Sequence, residues 1–128
     1  MTLLMAGVLT LAMVACGGKG GVQKSDSPSD VVKKAMTCAV NEDYEGMVQY
    51  LDGTEGATDE EIKDAGAMLA LIYSLGSGVK AFEIRGEEID DSGLEAEVRL
   101  SITDRKGVVR EDEADLVKTD AGWRIRFD

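Results

Sequence analysis

The spacing of apolar side chains changes once along the chain and separates a helical half from a β half. Between residues 31 and 75, apolar positions recur every three or four residues, which is the period of an amphipathic helix. From residue 79 they alternate with polar positions, as in a strand with one buried face. Helices followed by strands predict an α+β domain, with three N-terminal helices packed on a curved antiparallel sheet of about four strands.

Local signals predict where the three helices begin. Ser27 fits an N-cap and Pro28 fits the first helical position. A short helix is predicted over residues 44–51, and Thr58 with Glu61 matches a capping box that opens the third. The third helix is predicted to run to about residue 75, and five of its residues are expected to face the core: Ile62, Ala65, Leu69, Ile72 and Tyr73.

Two glycines interrupt these patterns. Gly66 lies inside the third helix, where glycine costs about 1 kcal/mol relative to alanine, so close packing against another backbone is expected there. Gly86 lies inside the first strand, and Ile89 falls on the opposite parity from Ile84. This change of parity predicts a β-bulge at Gly86.

The second and last strands are predicted from strict alternation. Five residues of the second strand are expected to point inward: Leu94, Ala96, Val98, Leu100 and Ile102. The last strand is expected to place three residues on one face: Trp123, Ile125 and Phe127. A three-residue turn at 105–107 pairs Asp104 with Val108 and thereby sets the register of the third strand.

That register places two charged residues on the inner face of the sheet. Leu100 lies opposite Asp112, and Ile102 lies opposite Arg110. Because burying an unpaired carboxylate is costly, three interpretations stay open. The interior is open and wet, with Arg110, Asp112 and Lys80 lining the mouth of a pocket; a bulge changes the register; or the charges lie at a solvated strand end.

The outer face of the sheet is expected to be mostly solvated. Arg99 is predicted to lie opposite Glu113 and Arg126 opposite Asp115, giving cross-strand pairs of roughly 0.2–1 kcal/mol each. These charges argue against tight association through that face.

Charge and residue usage exclude several functions. The chain has 128 residues, a net charge of −11 and no histidine. The length suits one domain, and the negative charge disfavours nucleic acid and anionic lipid as direct partners. Without histidine, triad catalysis and ordinary zinc sites lose their commonest member. No cofactor or metal site is expected, since Asp59–Glu61 is better explained by charges at a helix start than by calcium.

The N-terminal segment predicts export. Residues 1–15 carry no charge, and their apolar run suits a signal peptide but is too short to span a bilayer. Met13–Cys16 resembles a bacterial lipobox, which implies that Cys16 is acylated and becomes the mature N-terminus. The alternative is an ordinary signal peptide with Cys16 as a bystander. Acylation would leave Cys38 as the only thiol, unable to form an intrachain disulfide and expected to be buried.

The lipobox interpretation divides the chain into a signal peptide at 1–15, a tether at 16–27 and a domain at 28–128. Glycine and serine make the tether flexible, with a reach of roughly 18 Å. We therefore expect a cell-envelope protein held to the lipid bilayer through acylated Cys16. It would lie on the outer membrane facing the periplasm in a host with two membranes, and otherwise on the outer face of the cell membrane.

Two stretches resemble a known group of proteins. "SPSDVVKKAMTCAVNEDYEGMVQYLDG" resembles the helical signature of small bacterial lipoproteins of unknown function with a lumazine-binding-like or cystatin-like domain, and "LVKTDAGWRIRF" resembles their closing hairpin. They belong to the nuclear-transport-factor-2-like superfamily. The resemblance covers residues 28–128 and implies a cone made by a sheet wrapped around helices. Related cones often dimerise through the sheet, so a dimer is possible; no functional residue is carried over.

Three functions follow as expectations. The first is a non-catalytic binding or accessory module that holds a small amphiphilic ligand or an envelope protein in the cone or at its rim. The second is an interaction or structural lipoprotein without a ligand. The third is a small isomerase or dehydratase, since some cones of the superfamily use a carboxylate base and tyrosine donors. Residues of those types are present: Asp112, Tyr44, Tyr50 and Tyr73.

Overall fold

The computed structural model describes residues 24–126 and places three helices before four strands. The helices are α1 (Pro28–Val40), α2 (Tyr44–Val48) and α3 (Asp59–Leu75). The strands are β1 (Ala81–Ile89), β2 (Glu95–Thr103), β3 (Val109–Thr119) and β4 (Gly122–Ile125), and they form one antiparallel sheet in sequential order. The predicted α+β architecture is confirmed. The predicted signal peptide, Cys16 and Phe127 lie outside the described residues.

The two long helices begin at the predicted caps. The Ser27 hydroxyl accepts a hydrogen bond from the Asp30 N–H at 3.1 Å, and the Asp30 carboxylate accepts one from the Ser27 N–H at 3.2 Å. Thr58 and Glu61 repeat this exchange at 3.2 and 2.9 Å. Because each box satisfies two N–H groups that a helix start leaves unpaired, each cap contributes about 1 kcal/mol.

The core lies between α1 and the inner face of the sheet. α1 buries Val31, Val32, Ala35, Met36, Cys38 and Ala39, and the sheet contributes Ala96, Val98, Leu100, Ile102, Leu116 and Trp123. Helix α3 packs chiefly on α2 and adds Leu69 to the core. Cys38 is buried as expected, but it is disulfide-bonded, so the expectation of a lone thiol is wrong for this structure.

Both glycine predictions are confirmed. A Cβ on Gly66 would lie 2.8 Å from Glu45 Cγ and 3.1 Å from Glu45 Cα, so α2 and α3 meet at their backbones there. The register of β1 against β2 shifts between Ile84 and Gly86, and a Cβ on Gly86 would lie 2.5 Å from the Arg99 guanidinium. The second glycine therefore makes room for an arginine side chain as well as a bulge.

Three burial expectations are wrong. Leu94 is exposed because it lies in the turn before β2, at the end of the sheet, although its carbonyl still accepts a hydrogen bond from the Lys118 N–H. Ile72 is exposed because it lies on a side of α3 that neither α2 nor the sheet covers. Ser101, expected outside, is buried because the longer Glu83 and Glu111 flank it on the neighbouring strands.

The short β4 leaves part of β3 as a sheet edge. β4 pairs with β3 from Leu116 to Thr119, and the Arg126 N–H extends the pairing to the Asp115 carbonyl at 2.8 Å. Among residues 24–126, no strand lies beside β3 before that point on this side. The polar segment 110–114 therefore forms an edge of the sheet.

Candidate functional site: a cavity between α3 and the sheet

A cavity of ≈ 240 Å³ lies between the helices and the inner face of the sheet. Its floor is apolar and is made by Val32, Met36, Met47, Leu51, Leu69, Leu100, Ile102, Ala114 and Ile125. Its rim is made by Tyr73, Asp112 and Arg126, together with the β3 backbone at Glu113 and Asp115, whose carboxylates lie on the outer face of the sheet. An apolar floor with a few polar groups at the mouth is typical of sites for small molecules.

The register of β2 and β3 brings Asp112 to this cavity. Leu100 pairs with Asp112 and Ile102 with Arg110, as predicted from the turn. Arg110 Nε lies 3.9 Å from Asp112 Oδ2, and both side chains are about half exposed. The carboxylate therefore remains in contact with water and largely avoids the cost of burial.

The three residues predicted to line a pocket are not all brought together. Asp112 lines the cavity, and Arg110 lies beside Asp112 without lining it. Lys80 is exposed just before β1, where its N–H donates to the Thr103 carbonyl at 2.8 Å, and it lies outside this cavity.

One tyrosine shares the cavity with Asp112. The rings of Tyr73 and Tyr44 stack with their centroids 5.6 Å apart. Burial raises the pKa of Tyr73, the neighbouring Tyr44 and Asp112 raise it further, and Arg110 opposes them. The Tyr73 hydroxyl is therefore protonated at neutral pH and can donate a hydrogen bond at the rim. Tyr50 is fully buried elsewhere and does not line the cavity.

Sequence reasoning missed Arg126 at the rim. Its backbone N–H reaches Asp115 as predicted, but its Nη2 lies 3.3 Å from Glu95 Oε2, and the residue lines the cavity. Parity places Arg126 on the outer face only if the last strand continues, whereas β4 ends at Ile125. The sequence signal that could have indicated Arg126 is its predicted position opposite Asp115, next to the acidic residues of β3.

A cluster of carboxylates lies on the outer face of the sheet. One oxygen from each of Glu97, Glu113 and Asp115 lies within 4.8 Å of the others. Glu113 is the main cause of a raised pKa of Glu97. Arg99 lies opposite Glu113 as predicted, but its guanidinium lies over Gly86. Exposed acidic groups of this kind are ordinary on a chain of net charge −11, so we infer no metal site from them.

Among residues 24–126, no helix has both the length and the apolar character needed to cross a bilayer. No protein-family model matches the chain, and no curated protein matches it.

Solved structures share the fold. One is a Campylobacter jejuni protein described as an NTF2-like (nuclear-transport-factor-2-like) transpeptidase. It has a TM-score of 0.56 and 22% identity, covering 80% of this chain and 100% of that one. A SEC-C motif containing protein from Rhodopseudomonas palustris has a TM-score of 0.60 and 13% identity, covering 88% and 86% of the two chains. One from Psychrobacter arcticus has a TM-score of 0.59 and 14% identity, covering 88% and 66%. These similarities support an NTF2-like fold, and at such identities they carry no function.

Proposed function

We propose that this protein is a lipid-anchored envelope protein whose domain binds a small amphiphilic ligand without transforming it. The observation that carries the proposal is the cavity, whose apolar floor ends at an open mouth bearing Asp112 and Tyr73. The apolar part of the ligand would lie against Leu69 and Leu100, and its polar part would face the rim. The proposal includes the cone, in which the sheet curves around the helices to enclose this cavity.

The anchor is argued from the sequence and from the start of the folded domain. Asp26 Oδ2 lies 2.8 Å from Lys34 Nζ on α1, so the domain is already held in place at that residue. The tether predicted from the sequence would then span residues 17–25, with a reach of about 17 Å. Acyl groups on Cys16 would hold the domain within this distance of the bilayer, each buried CH₂ contributing about 0.8 kcal/mol.

The state of the Cys16 sulfur tests the anchor. The full chain is expressed in a bacterial host, extracted in mild detergent and examined by intact-mass and fragment mass spectrometry. We expect an N-terminus at Cys16 bearing acyl groups, and release from the membrane fraction by Cys16→Ala. The proposal requires that acylation of Cys16 leaves Cys38, the other cysteine of the chain, as a free thiol in the mature protein, which differs from its disulfide-bonded state in this structure. A Cys16–Cys38 disulfide in the purified protein would contradict the anchor, because one sulfur cannot carry both groups.

Filling the cavity tests the ligand. N-phenyl-1-naphthylamine, an amphiphile that fluoresces in apolar surroundings, serves as the probe, and native mass spectrometry of the gently extracted protein identifies what co-purifies. Ala114 lines the cavity and is half-buried, so Ala114→Leu should weaken probe binding several-fold. The matched control is Ala67→Leu, at an exposed position of α3. Equal binding by both folded variants would contradict a ligand site in the cavity.

An interaction role without a ligand is the second candidate. It is favoured by apolar side chains that α3 exposes to solvent. Co-purification of a stoichiometric protein and no small molecule would support it. Turnover of a substrate, lost in Asp112→Asn, would instead support the isomerase-like alternative, because Asp112 and Tyr73 share the cavity.

A further inference from the structure

We infer that α3 carries a docking surface for an amphipathic helix of a partner protein. The apolar face of that partner helix is followed by basic residues. The surface, here called the apolar stripe, consists of Met68, Leu71, Ile72 and Leu75. Their exposed fractions are 58%, 62%, 45% and 81%. The spacing i, i+3, i+4, i+7 places all four on one side of the helix over two turns.

The apolar stripe takes no part in the packing of α3 against the rest of the domain. The helix buries Gly66 and Leu69, and the stripe lies outside that buried side. None of its four residues lines the cavity, so the inference is independent of the proposed ligand. Single exposed apolar side chains are normal, whereas large contiguous apolar patches mark interaction sites.

The charges beside the apolar stripe indicate the chemistry of the partner. Asp64 and Glu61 are exposed and lie four and seven residues before Met68, so they extend the same side towards the helix start. The last turn of α3 contains no basic residue. A complementary helix therefore presents apolar residues to the stripe and Lys or Arg to Asp64 and Glu61. If it runs antiparallel, these cations lie at its own C-terminus, where the helix dipole favours them.

The same charges argue against a second copy and against lipid. In an antiparallel pair of α3 helices, Glu61 and Asp64 would meet a last turn without a basic residue, and two chains of net charge −11 would repel each other. Helices that lie in membrane interfaces carry basic residues on their polar face. Lys63, the basic residue of α3, borders the groove towards α2 instead.

The experiment uses the full chain in phosphatidylcholine nanodiscs and two fluorescein-labelled 18-residue peptides. Both peptides form an amphipathic helix with a Leu/Ile stripe; one has Lys in its last two turns and the other has Glu there. Fluorescence anisotropy should show that the unchanged protein binds the Lys peptide. The double variant Leu71→Gln/Leu75→Gln should bind that peptide with an affinity at least tenfold lower. The matched control Leu94→Gln, at another exposed leucine in the β1–β2 turn, should bind as the unchanged protein does. Asp64→Lys should weaken the Lys peptide and favour the Glu peptide.

Three results would overturn the proposal. The first is equal binding of the Lys peptide by the double variant. The second is self-association in sedimentation velocity that the double variant abolishes while the Lys peptide fails to bind, which assigns the stripe to a second copy. The third is binding to phosphatidylcholine vesicles that the double variant abolishes, again without peptide binding. All substituted side chains are exposed, and thermal unfolding monitored by circular dichroism confirms that each variant is folded.

Discussion

At the scale of single residues, Tyr50 is the most unusual member of the core. The residue is fully buried, and its hydroxyl has no hydrogen-bond partner among residues 24–126. Burial also raises the pKa of Tyr50, with smaller contributions from Asp26 and Asp43, so the group stays neutral. A buried polar group without a partner keeps the cost of leaving water and regains nothing in exchange.

We therefore expect Tyr50→Phe to be neutral or to increase the free energy of unfolding by about 1 kcal/mol. Phenylalanine retains the ring and removes only the hydroxyl. Urea unfolding of both proteins measures the difference, with Tyr44→Phe as the control for a half-buried tyrosine. A loss of more than about 1 kcal/mol would mean that the hydroxyl is hydrogen-bonded after all.

Glu97 gives a pH-dependent prediction at the same scale. The carboxylates of Glu113, Asp115 and Glu88 raise its pKa above the ordinary value, Glu113 most strongly. The folded state therefore binds the Glu97 proton more tightly than the unfolded state, so this group lowers stability as pH rises from about 4.3, its unperturbed pKa, through the raised pKa.

Glu97→Gln should raise the unfolding temperature at pH 7, and the gain should disappear towards pH 4. The control is Glu111→Gln, on the same face of β3 but opposite Ser101 and outside the cluster. Thermal unfolding across this pH range checks the prediction. A gain that persists at acid pH would show that charge repulsion is not its cause.

At the scale of elements, the contact between α2 and α3 depends on Gly66. A methyl group there would meet the Glu45 side chain at 2.8 Å and its backbone N at 3.1 Å. Helix propensity favours alanine over glycine by about 1 kcal/mol, whereas overpacking costs about 1–3 kcal/mol. The second effect is larger where backbone atoms have to move.

Gly66→Ala should therefore destabilise the domain by up to about 2 kcal/mol despite the better helix former. Adding Glu45→Ala should recover part of the loss, because the closest atom is Glu45 Cγ. The control is Ala67→Gly, which changes helix propensity at an exposed position. Denaturant unfolding of the three variants and the unchanged protein measures the effect, and a more stable Gly66→Ala protein would contradict the close approach.

The elements also show how far the sequence leads. The caps at Ser27 and Thr58, the bulge at Gly86 and the pairing of Leu100 with Asp112 all follow from local chemistry or turn length, and all were predicted correctly. The exposure of Ile72 was not predicted. Periodicity shows which residues share one side of a helix, but it does not show which neighbouring elements cover that side. The cavity was predicted only as one alternative, since its width depends on the distance between α3 and the sheet. No local pattern specifies that distance.

At the scale of the whole molecule, negative charge opposes compaction. The net charge is −11, and the ion pairs include exposed ones such as Arg85–Glu83 and Arg126–Glu95. A more buried pair joins Arg124 on β4 to Glu55 in the α2–α3 loop, with Nε 3.3 Å from Oε2. Exposed ion pairs contribute little, so the long-range repulsion should dominate the response to salt.

We therefore expect the unfolding temperature at pH 7 to rise between 20 mM and 500 mM NaCl. Salt shortens the screening length from about 20 Å to about 4 Å, which weakens the repulsion among exposed carboxylates. NaCl and KCl should act alike if screening is responsible. A fall in unfolding temperature over this range would mean that attractive ion pairs outweigh the repulsion.

The edge of β3 has a consequence for how copies of this protein interact at high local concentration. Where β4 stops, backbone groups of β3 before Asp115 face outward, and Arg110, Glu111, Asp112 and Glu113 follow one another along that margin. Unguarded margins of this kind recruit strands from other molecules and begin fibres. Dense packing of copies on a surface would multiply such encounters. The run of charged residues reduces the apolar area available to the core. The same charges would prevent the β3 edges of adjacent molecules from pairing into a continuous sheet.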